Sequence, residues 1–145
     1  MGCICVQDYG VRMHYKCDDV TLPYMQIMPL PSWIMRVIET DILTQRGRYT
    51  TKHCGIYRHV ALVFRGRKLL SIGQNRISRR GPYSMIHAEC DAIRALNNPS
   101  DMRNALLVVI RLGPQSLLNS KPCRTCSDFI DKCQREHGLR RCIHS

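Results

Sequence analysis

Two short fragments constrain this chain more than any other feature of its sequence. His87-Ala88-Glu89 places a carboxylate two residues after a histidine, and Pro122-Cys123-Arg124-Thr125-Cys126 contains a closely spaced pair of cysteines. One imidazole nitrogen and two thiolates supply three ligands to a zinc ion and leave its fourth tetrahedral position open, as in catalytic zinc sites. The sequence therefore predicts one catalytic Zn²⁺ held by His87, Cys123 and Cys126.

Together the two fragments match the H-x-E…P-C-x-x-C signature of zinc-dependent nucleobase deaminases. Each lies at the predicted start of a helix, whose partial positive charge favours the thiolate form of the cysteines. Bound zinc lowers the pKa of a water from ~16 towards ~7. Glu89 is two residues from His87, so it can lie at the site without being a ligand itself. We predict that Glu89 is the catalytic residue, which moves a proton from that water to the base and its leaving amine.

The same residues have plainer interpretations. Glu89 is also the kind of acid that a helix dipole favours in a first turn. The cysteine pair could join Cys3 and Cys5 in a structural zinc site, or form a redox pair, although a redox pair leaves the histidine-containing fragment unexplained. The remaining histidines have no paired partner and are interpreted as ordinary surface or packed residues: His14, His53, His59, His137 and His144.

Composition and charge limit the class of protein. The chain has 145 residues, 44% of them apolar, which is enough for one domain with a single core. No apolar run approaches the ~20 residues of a membrane span, so no membrane association is expected. The net charge of +11 is consistent with an anionic partner such as a nucleotide or a nucleic acid bound through a basic surface. A basic surface without a dedicated partner is the alternative, because the basic residues are spread over separate groups: Arg65, Arg67 and Lys68; Arg76, Arg79 and Arg80; Arg140 and Arg141.

The cysteines indicate the compartment. The chain has nine of them, and its first residues lack the basic start and apolar stretch of a secretory signal. A cytoplasmic, reducing location with metal-bound thiolates is therefore expected. The cysteines outside the predicted zinc site are interpreted mostly as small buried hydrophobic residues: Cys3, Cys5, Cys17, Cys54, Cys90, Cys133 and Cys142.

The hydrophobic pattern predicts helix, strand, strand, helix, strand, helix and strand, which implies a sheet covered by helices in three layers. The predicted helices run from Pro31 to about Arg46 (ended by Gly47), from Met85 to Leu96 (capped by Ser84), and from Pro122 to Glu136 (ended by Gly138). The predicted strands are His59–Phe64, Lys68–Ile72, Ala105–Ile110 and Leu139–Ile143, with a basic loop from Arg76 to Pro82. The apolar run of the first strand predicts that both of its faces are covered.

From His59 to Ile143 the chain resembles the cytidine and deoxycytidylate deaminase superfamily. The similar stretches are Ser71-Ile72-Gly73-Gln74-Asn75, the helix from Ile86 to Ile93, the residues from Asn119 to Cys126, and the closing residues from Gly138 to Ile143. The Ala-Ile pair after His-Ala-Glu is more similar to the deoxycytidylate-type branch. Small cytidine deaminases usually carry a glycine where Arg124 stands.

The resemblance implies an α/β fold, a three-layer α/β/α cytidine-deaminase-like mixed sheet with the two zinc-bearing helices on one face. It also implies two substrate-binding residues. Asn75 stands where relatives bind the sugar or base, and the backbone N–H of Ala88 would bind the carbonyl of the base. For Asn75, a plain turn residue after a strand is the alternative interpretation.

The chain divides into two parts at about residue 30. Residues 1–30 contain Pro23 and Pro29 and are expected to form an irregular N-terminal extension, whereas residues 31–145 form the zinc-dependent deaminase domain. Relatives continue past their fourth strand with a helix and usually a fifth strand. The sequence stops at Ser145, so both elements are expected to be lacking, and exposed sheet edges then favour a homo-oligomer.

The leading hypothesis from the resemblance is an enzyme, a hydrolase that converts cytosine to uracil in a nucleoside or nucleotide and releases ammonia. One alternative is a deaminase of single-stranded DNA or RNA that binds its polymer through the loop from Arg76 to Arg80. Aromatic residues amount to only 6%, with Tyr83 near that loop, and this favours the small substrate. The other alternative is a non-catalytic, zinc-containing nucleic-acid-binding protein, which predicts salt-dependent binding without release of ammonia.

Overall fold

The computed structural model of the chain describes residues 29–44, 59–78, 85–113 and 116–145, and the backbone of two short strands at 2–3 and 15–16. These two strands, β1 (Gly2–Cys3) and β2 (Tyr15–Lys16), pair antiparallel within the segment for which the sequence predicts no regular element. Among the described residues, no helix is long and apolar enough to cross a membrane.

A mixed sheet forms the centre of the described part of the chain. Its strands are β3 (His59–Arg65), β4 (Lys68–Gln74), β7 (Ala105–Leu112), β8 (Leu117–Leu118) and β9 (Arg141–His144), and the short strands β5 (Arg76–Ile77) and β6 (Met85–Ile86) pair with each other. The strand order is β4-β3-β7, with antiparallel pairing. On the side of β7 away from β3, two strands pair with it one after the other. The first part of β7 pairs with β9, which is parallel to it, and its last two residues pair with β8, which is antiparallel.

The central strand is β3, because its side chains are apolar towards both faces of the sheet. Ala61 and Val63 are fully buried towards one face, and Val60, Leu62 and Phe64 towards the other. The prediction of a strand covered on both faces is confirmed. The first three predicted strands are also confirmed, and each extends one or two residues further than the sequence indicates.

Helices cover both faces of this sheet. They are α1 (Ser32–Val37), continued by a π-helical segment (Ile38–Leu43), α2 (Ala88–Arg94), a 3-10 turn (Pro99–Met102) and α3 (Arg124–His137). The first helix buries Ile34, and its π-helical continuation buries Ile38 and Ile42, against one face. Side chains of α2 and α3 pack on the opposite face. The predicted three-layer α/β/α architecture, with the two helices that carry the predicted zinc ligands on one face, is confirmed.

Two boundaries predicted near the site are wrong. The sequence predicts a helix from Met85 and a loop from Arg76, but both residues begin short strands, β6 and β5, that pair antiparallel. Only at Ala88 does α2 begin, because His87 has an extended backbone (φ −75°, ψ 154°). The half-buried Met85 and buried Ile86 alternate as residues of a strand do.

The ends of the remaining elements agree in part with the prediction. Gly138 ends α3 in the left-handed conformation (φ 72°), as predicted, and the last strand begins at Arg141 rather than Leu139. The predicted cap Ser84 and the predicted helix end at Arg46 and Gly47 lie outside the described residues. A fifth strand is present in the sheet, but it is β8, which precedes α3, and β9 is the last element described.

Candidate metal centre

Direct backbone contact with β4 positions α2, the helix that begins at the site. A Cβ atom at Gly73 would lie 2.1 Å from the backbone nitrogen of Ala92 and 2.4 Å from the carbonyl oxygen of Ala88. The hydroxyl of Ser71 donates a hydrogen bond of 2.7 Å to the carbonyl of Ala92. The helix is therefore held against the strand at a separation that only glycine permits, and this sets the position of His87, the residue directly before its first turn.

The three predicted ligands converge at the N-termini of α2 and α3. His87 Nδ1 lies 3.2 Å from Cys126 Sγ and 3.6 Å from Cys123 Sγ, and the three ligand atoms all lie within 4.8 Å of one another. Tetrahedral zinc, with Zn–S of ~2.3 Å and Zn–N of ~2.0 Å, places such donor atoms roughly 3.5 Å apart. Both the donor types and their spacing fit a zinc ion.

The thiol of Cys123 is prepared for metal binding by its neighbours. A hydrogen bond from Cys126 is the largest cause that lowers the pKa of Cys123, and His87 adds to it. Although burial acts in the opposite direction, the pKa falls from 9.0 to about 4. Because the thiolate is the form that ligates a metal, Cys123 is ready to do so at neutral pH.

Glu89 lies in the first turn of α2, next to the ligand cluster but outside it. The residue is 4% exposed, and it is not one of the ligand atoms that lie within 4.8 Å of one another. Burial raises the pKa of the Cys142 thiol in β9, and the charge of the nearby Glu89 carboxylate adds to this. The catalytic role of Glu89 stays a prediction.

Asn75 and Ala88, the predicted substrate-binding residues, contact each other. The Ala88 N–H donates a hydrogen bond of 3.1 Å to Asn75 Oδ1, and the Asn75 N–H donates one of 3.4 Å to the carbonyl of His59. The Asn75 side chain thus satisfies one of the backbone donors at the start of α2 that have no partner within the helix. The N–H predicted to bind the base carbonyl is engaged by Asn75 in this structure, and both substrate contacts stay predictions.

Asp91, which the sequence interpretation missed, connects α2 to the residues on either side of Asn75. Its Oδ1 lies 2.5 Å from Arg76 Nε, and its Oδ2 accepts a hydrogen bond of 3.2 Å from the Gln74 N–H. In the sequence Asp91 was visible only as an acidic residue inside the predicted helix from Met85 to Leu96.

His59 and Arg111 also lie near the site, and sequence reasoning missed this. They are register partners on β3 and β7, and strand alternation places both on the face covered by α2 and α3. Burial is the largest cause that lowers the pKa of His59 to about 4, followed by the charges of Arg111 and His87, while Cys123 acts in the opposite direction. One signal in the sequence could have indicated this. His59 begins an apolar strand and is two residues from Ala61, so the two side chains lie on the same face of the sheet.

The other cysteines and histidines are distributed as follows. Cys90 and Cys133 are buried, which confirms their interpretation as small hydrophobic residues, and burial raises the pKa of Cys133 to about 11. Cys142 is half-buried, His137 is exposed and His144 is half-buried. The side chains of the remaining predicted residues lie outside the described part: Cys3, Cys5, Cys17, Cys54, His14 and His53.

Comparisons with known proteins give limited information. No model of a protein family matches the chain, and no curated protein matches it. Among solved structures, the chain is similar to Acinetobacter baumannii RibD, form 2, with 22% sequence identity and a TM-score of 0.44. The similarity covers 78% of this chain and 27% of the RibD chain, so this chain spans about a quarter of that protein. Function is therefore inferred from the site itself.

Proposed function

We propose that this chain is a zinc-dependent hydrolytic deaminase that converts cytosine to uracil in a nucleoside or nucleotide. One observation carries this proposal: His87 Nδ1 and the two cysteine sulfurs lie within 4.8 Å of one another, and the buried Glu89 follows His87 by two residues. Three protein ligands are the number found in catalytic zinc sites, whereas structural sites have four. Zinc held there supplies Lewis acidity and lowers the pKa of water.

In the proposed reaction, water adds to the ring carbon that carries the amine, the bond from this carbon to the amine nitrogen breaks, and ammonia leaves. Glu89 accepts a first proton from the water and delivers it to the ring nitrogen, and it then accepts a second proton from the added hydroxyl group and delivers it to the departing amine. Its burial excludes competing bulk water from this transfer. The carboxylate ends the cycle in the state in which it began, so one residue serves as both base and acid.

Neighbouring groups on the same face support a small, anionic substrate. In the proposed complex, the hydrogen bond that the Ala88 N–H donates to Asn75 Oδ1 would be exchanged for hydrogen bonds to the base or sugar. We assign the phosphate of the substrate to Arg111 on the same face, since a guanidinium can bind a phosphate in bidentate fashion. This would favour a nucleotide over a free nucleoside.

The test is to incubate the zinc-loaded protein with cytidine, deoxycytidine, their monophosphates, single-stranded DNA and RNA, and to measure uracil and ammonia. We expect Glu89→Gln to keep its zinc but lose at least about a hundredfold in kcat, the range that general acid–base catalysis contributes. Cys123→Ala should lose zinc, measured by metal analysis. Glu136→Gln, which removes an exposed acid of α3, is the matched control.

Two results would contradict the proposal. Full activity of Glu89→Gln would show that this carboxylate is not the proton shuttle. Absence of uracil with every substrate, in protein that holds one zinc ion, would remove the case for a deaminase and favour a structural metal.

A further inference from the structure

The fold gathers at one end of the sheet basic residues that are far apart in the sequence. At this end β3 leads into β4, and both β7 and β9 begin. We call it the basic end of the sheet, and its six exposed basic residues are Arg65, Arg67, Lys68, Arg103, Arg140 and Arg141.

Backbone pairing makes these residues neighbours. Arg65 is the register partner of Lys68 in β4 and of Ala105 in β7. The Arg140 N–H donates a hydrogen bond of 2.8 Å to the Ala105 carbonyl, and Arg103 stands two residues before Ala105. Since neighbouring strands lie ~4.8 Å apart, the row of cations from β4 to β9 is roughly 14 Å long.

Little of this charge is neutralised. Arg65 contacts the Asp101 carboxylate at 3.3 Å, but none of the other five has an ion pair within the part of the chain that the structure describes. Helix C-termini favour nearby cations, and this accounts for Arg94 and Arg135 in the last turns of α2 and α3. The residues of the basic end belong instead to strand ends and connections, so the helix dipoles do not explain them.

We propose that the basic end of the sheet binds the phosphate backbone of a nucleic acid, at a site separate from the candidate metal centre. A row of roughly 14 Å is long enough to contact more than one successive phosphate of a strand, since phosphates follow each other every ~3.4 Å along the axis of a duplex and lie farther apart through space. Contacts of this kind hold the backbone without reading its sequence. His59 and Arg65 stand at opposite ends of β3, so the two sites are ~20 Å apart.

The surroundings favour a nucleic acid over a membrane surface. Proteins that lie on anionic membranes combine basic residues with apolar side chains that enter the bilayer. Among the described residues the large exposed apolar side chains are Ile77 and Leu118, and neither belongs to the strand ends that form the basic end. The binding goes beyond the proposed deamination, because it requires neither the metal ligands nor Glu89.

The experiment measures the fluorescence anisotropy of labelled single-stranded and duplex oligonucleotides with the zinc-loaded protein over a series of salt concentrations. The variant Arg67→Gln/Arg103→Gln/Arg140→Gln removes one charge from each connection at the basic end. We expect it to lower affinity at least about tenfold at low salt, and to reduce the single-strand salt slope by about 2. Thermal unfolding checks that the variant is folded, and Arg140→Gln alone gives a smaller loss in the same direction.

A matched control removes the same charge elsewhere. Arg36→Gln/Lys121→Gln/Arg124→Gln changes three exposed residues, one on α1 and two beside the metal centre, and should change affinity by less than about threefold. Equal losses of affinity in both variants would contradict the proposal, because they would show that binding depends on the total charge and not on the basic end. A larger loss in the control would place the nucleic acid across the metal centre instead.

Two further outcomes overturn the proposal. One is that the wild-type protein binds no oligonucleotide at low salt, and the other is that it binds vesicles of phosphatidylserine and phosphatidylcholine in preference to them. Turnover of small substrates by the triple variant of the basic end should equal that of the wild type. Nucleic-acid binding without deamination would therefore refute the proposed enzyme alone, and deamination without nucleic-acid binding would refute only this inference.

Discussion

Charged side chains lie close together in the candidate site, and their charges decide which substrates the site can bind. The Cys123 thiolate depends on a hydrogen bond from Cys126, and Glu89 remains buried two residues from the ligand His87. Arg111 adds a positive charge on the same face of the sheet. A site with this charge pattern should distinguish substrates by their phosphate.

Replacement of Arg111 by glutamine tests that expectation. We expect KM for a cytidine or deoxycytidine monophosphate to rise about tenfold, because a charge-assisted hydrogen bond is lost, while KM for the free nucleoside changes little. Steady-state kinetics on both substrates give the answer, with Arg36→Gln on α1 as the control. An equal change for nucleoside and nucleotide would assign Arg111 a structural role.

Cys142 links the site to stability at alkaline pH. Burial, with a smaller contribution from Glu89, raises the pKa of this thiol from 9.0 to about 12. Above about pH 9 the unfolded chain loses this proton before the folded chain does, so the stabilising contribution is complete below pH 9 and disappears as the pH approaches 12. We expect the Tm of the wild type to fall more steeply between about pH 8 and pH 11 than the Tm of Cys142→Ala. Curves of Tm against pH that have the same slope in the wild type and in Cys142→Ala would contradict the raised pKa of Cys142.

Among the secondary-structure elements, the site depends on how closely α2 lies against β4. The gap at Gly73 leaves no room for a methyl group, because backbone atoms of Ala88 and Ala92 occupy its place. Backbone cannot rotate away as a flexible side chain does. The position of the first turn of α2, and with it the position of the ligand His87, is therefore set by this contact.

The change Gly73→Ala should force α2 away from the sheet. We expect a loss of about 3 kcal/mol in the free energy of unfolding, since overpacking forces the backbone to shift. Zinc affinity should fall with it. Gly66→Ala is the control: its Cβ meets no atom within 4 Å, and its φ of 61° costs only about 1 kcal/mol. Denaturant unfolding of both variants measures the difference, and equal losses would disprove the close approach.

Over the whole molecule, the metal centre is separate from the two main cores. The apolar side chains on the two faces of the sheet form separate clusters, and neither contains a predicted ligand. Cys126 belongs instead to a small third cluster with Ile86 and Cys90. The fold therefore draws most of its stability from burial that does not involve the metal.

Removal of zinc should weaken this fold without abolishing it. A ligand that binds only the folded state adds stability, and here it would also join the starts of α2 and α3. We expect a chelator to lower Tm by at least about 5 °C while the far-ultraviolet circular dichroism at room temperature keeps its α/β form. Added Zn²⁺ should restore Tm, whereas added Mg²⁺ should not. Complete unfolding on chelation would contradict the separation of the cores from the site.

Local patterns in the sequence were sufficient for most elements and for the ligand set. An apolar run predicted β3, and the spacing of the cysteines predicted their place at the start of α3, because both depend on residues close together in the chain. The predicted start of α2 at Met85 was wrong. Met85 and Ile86 form a strand, β6, because they pair with β5, and the hydrophobic pattern of a helix does not show such pairing. Strand pairing between distant segments decides such boundaries.

The sequence by itself was enough to predict the candidate metal ligands, because a histidine and two cysteines at these spacings specify a donor set that the structure brings together. Only the tertiary structure decided what surrounds them. Strand register placed Arg111 beside His59. The close approach of α2 to β4 allows the Ala88 N–H to donate a hydrogen bond to Asn75. Register also joined the basic groups of β3 and β9 at one end of the sheet. Such contacts link residues far apart in the chain, and local spacing carries no record of them.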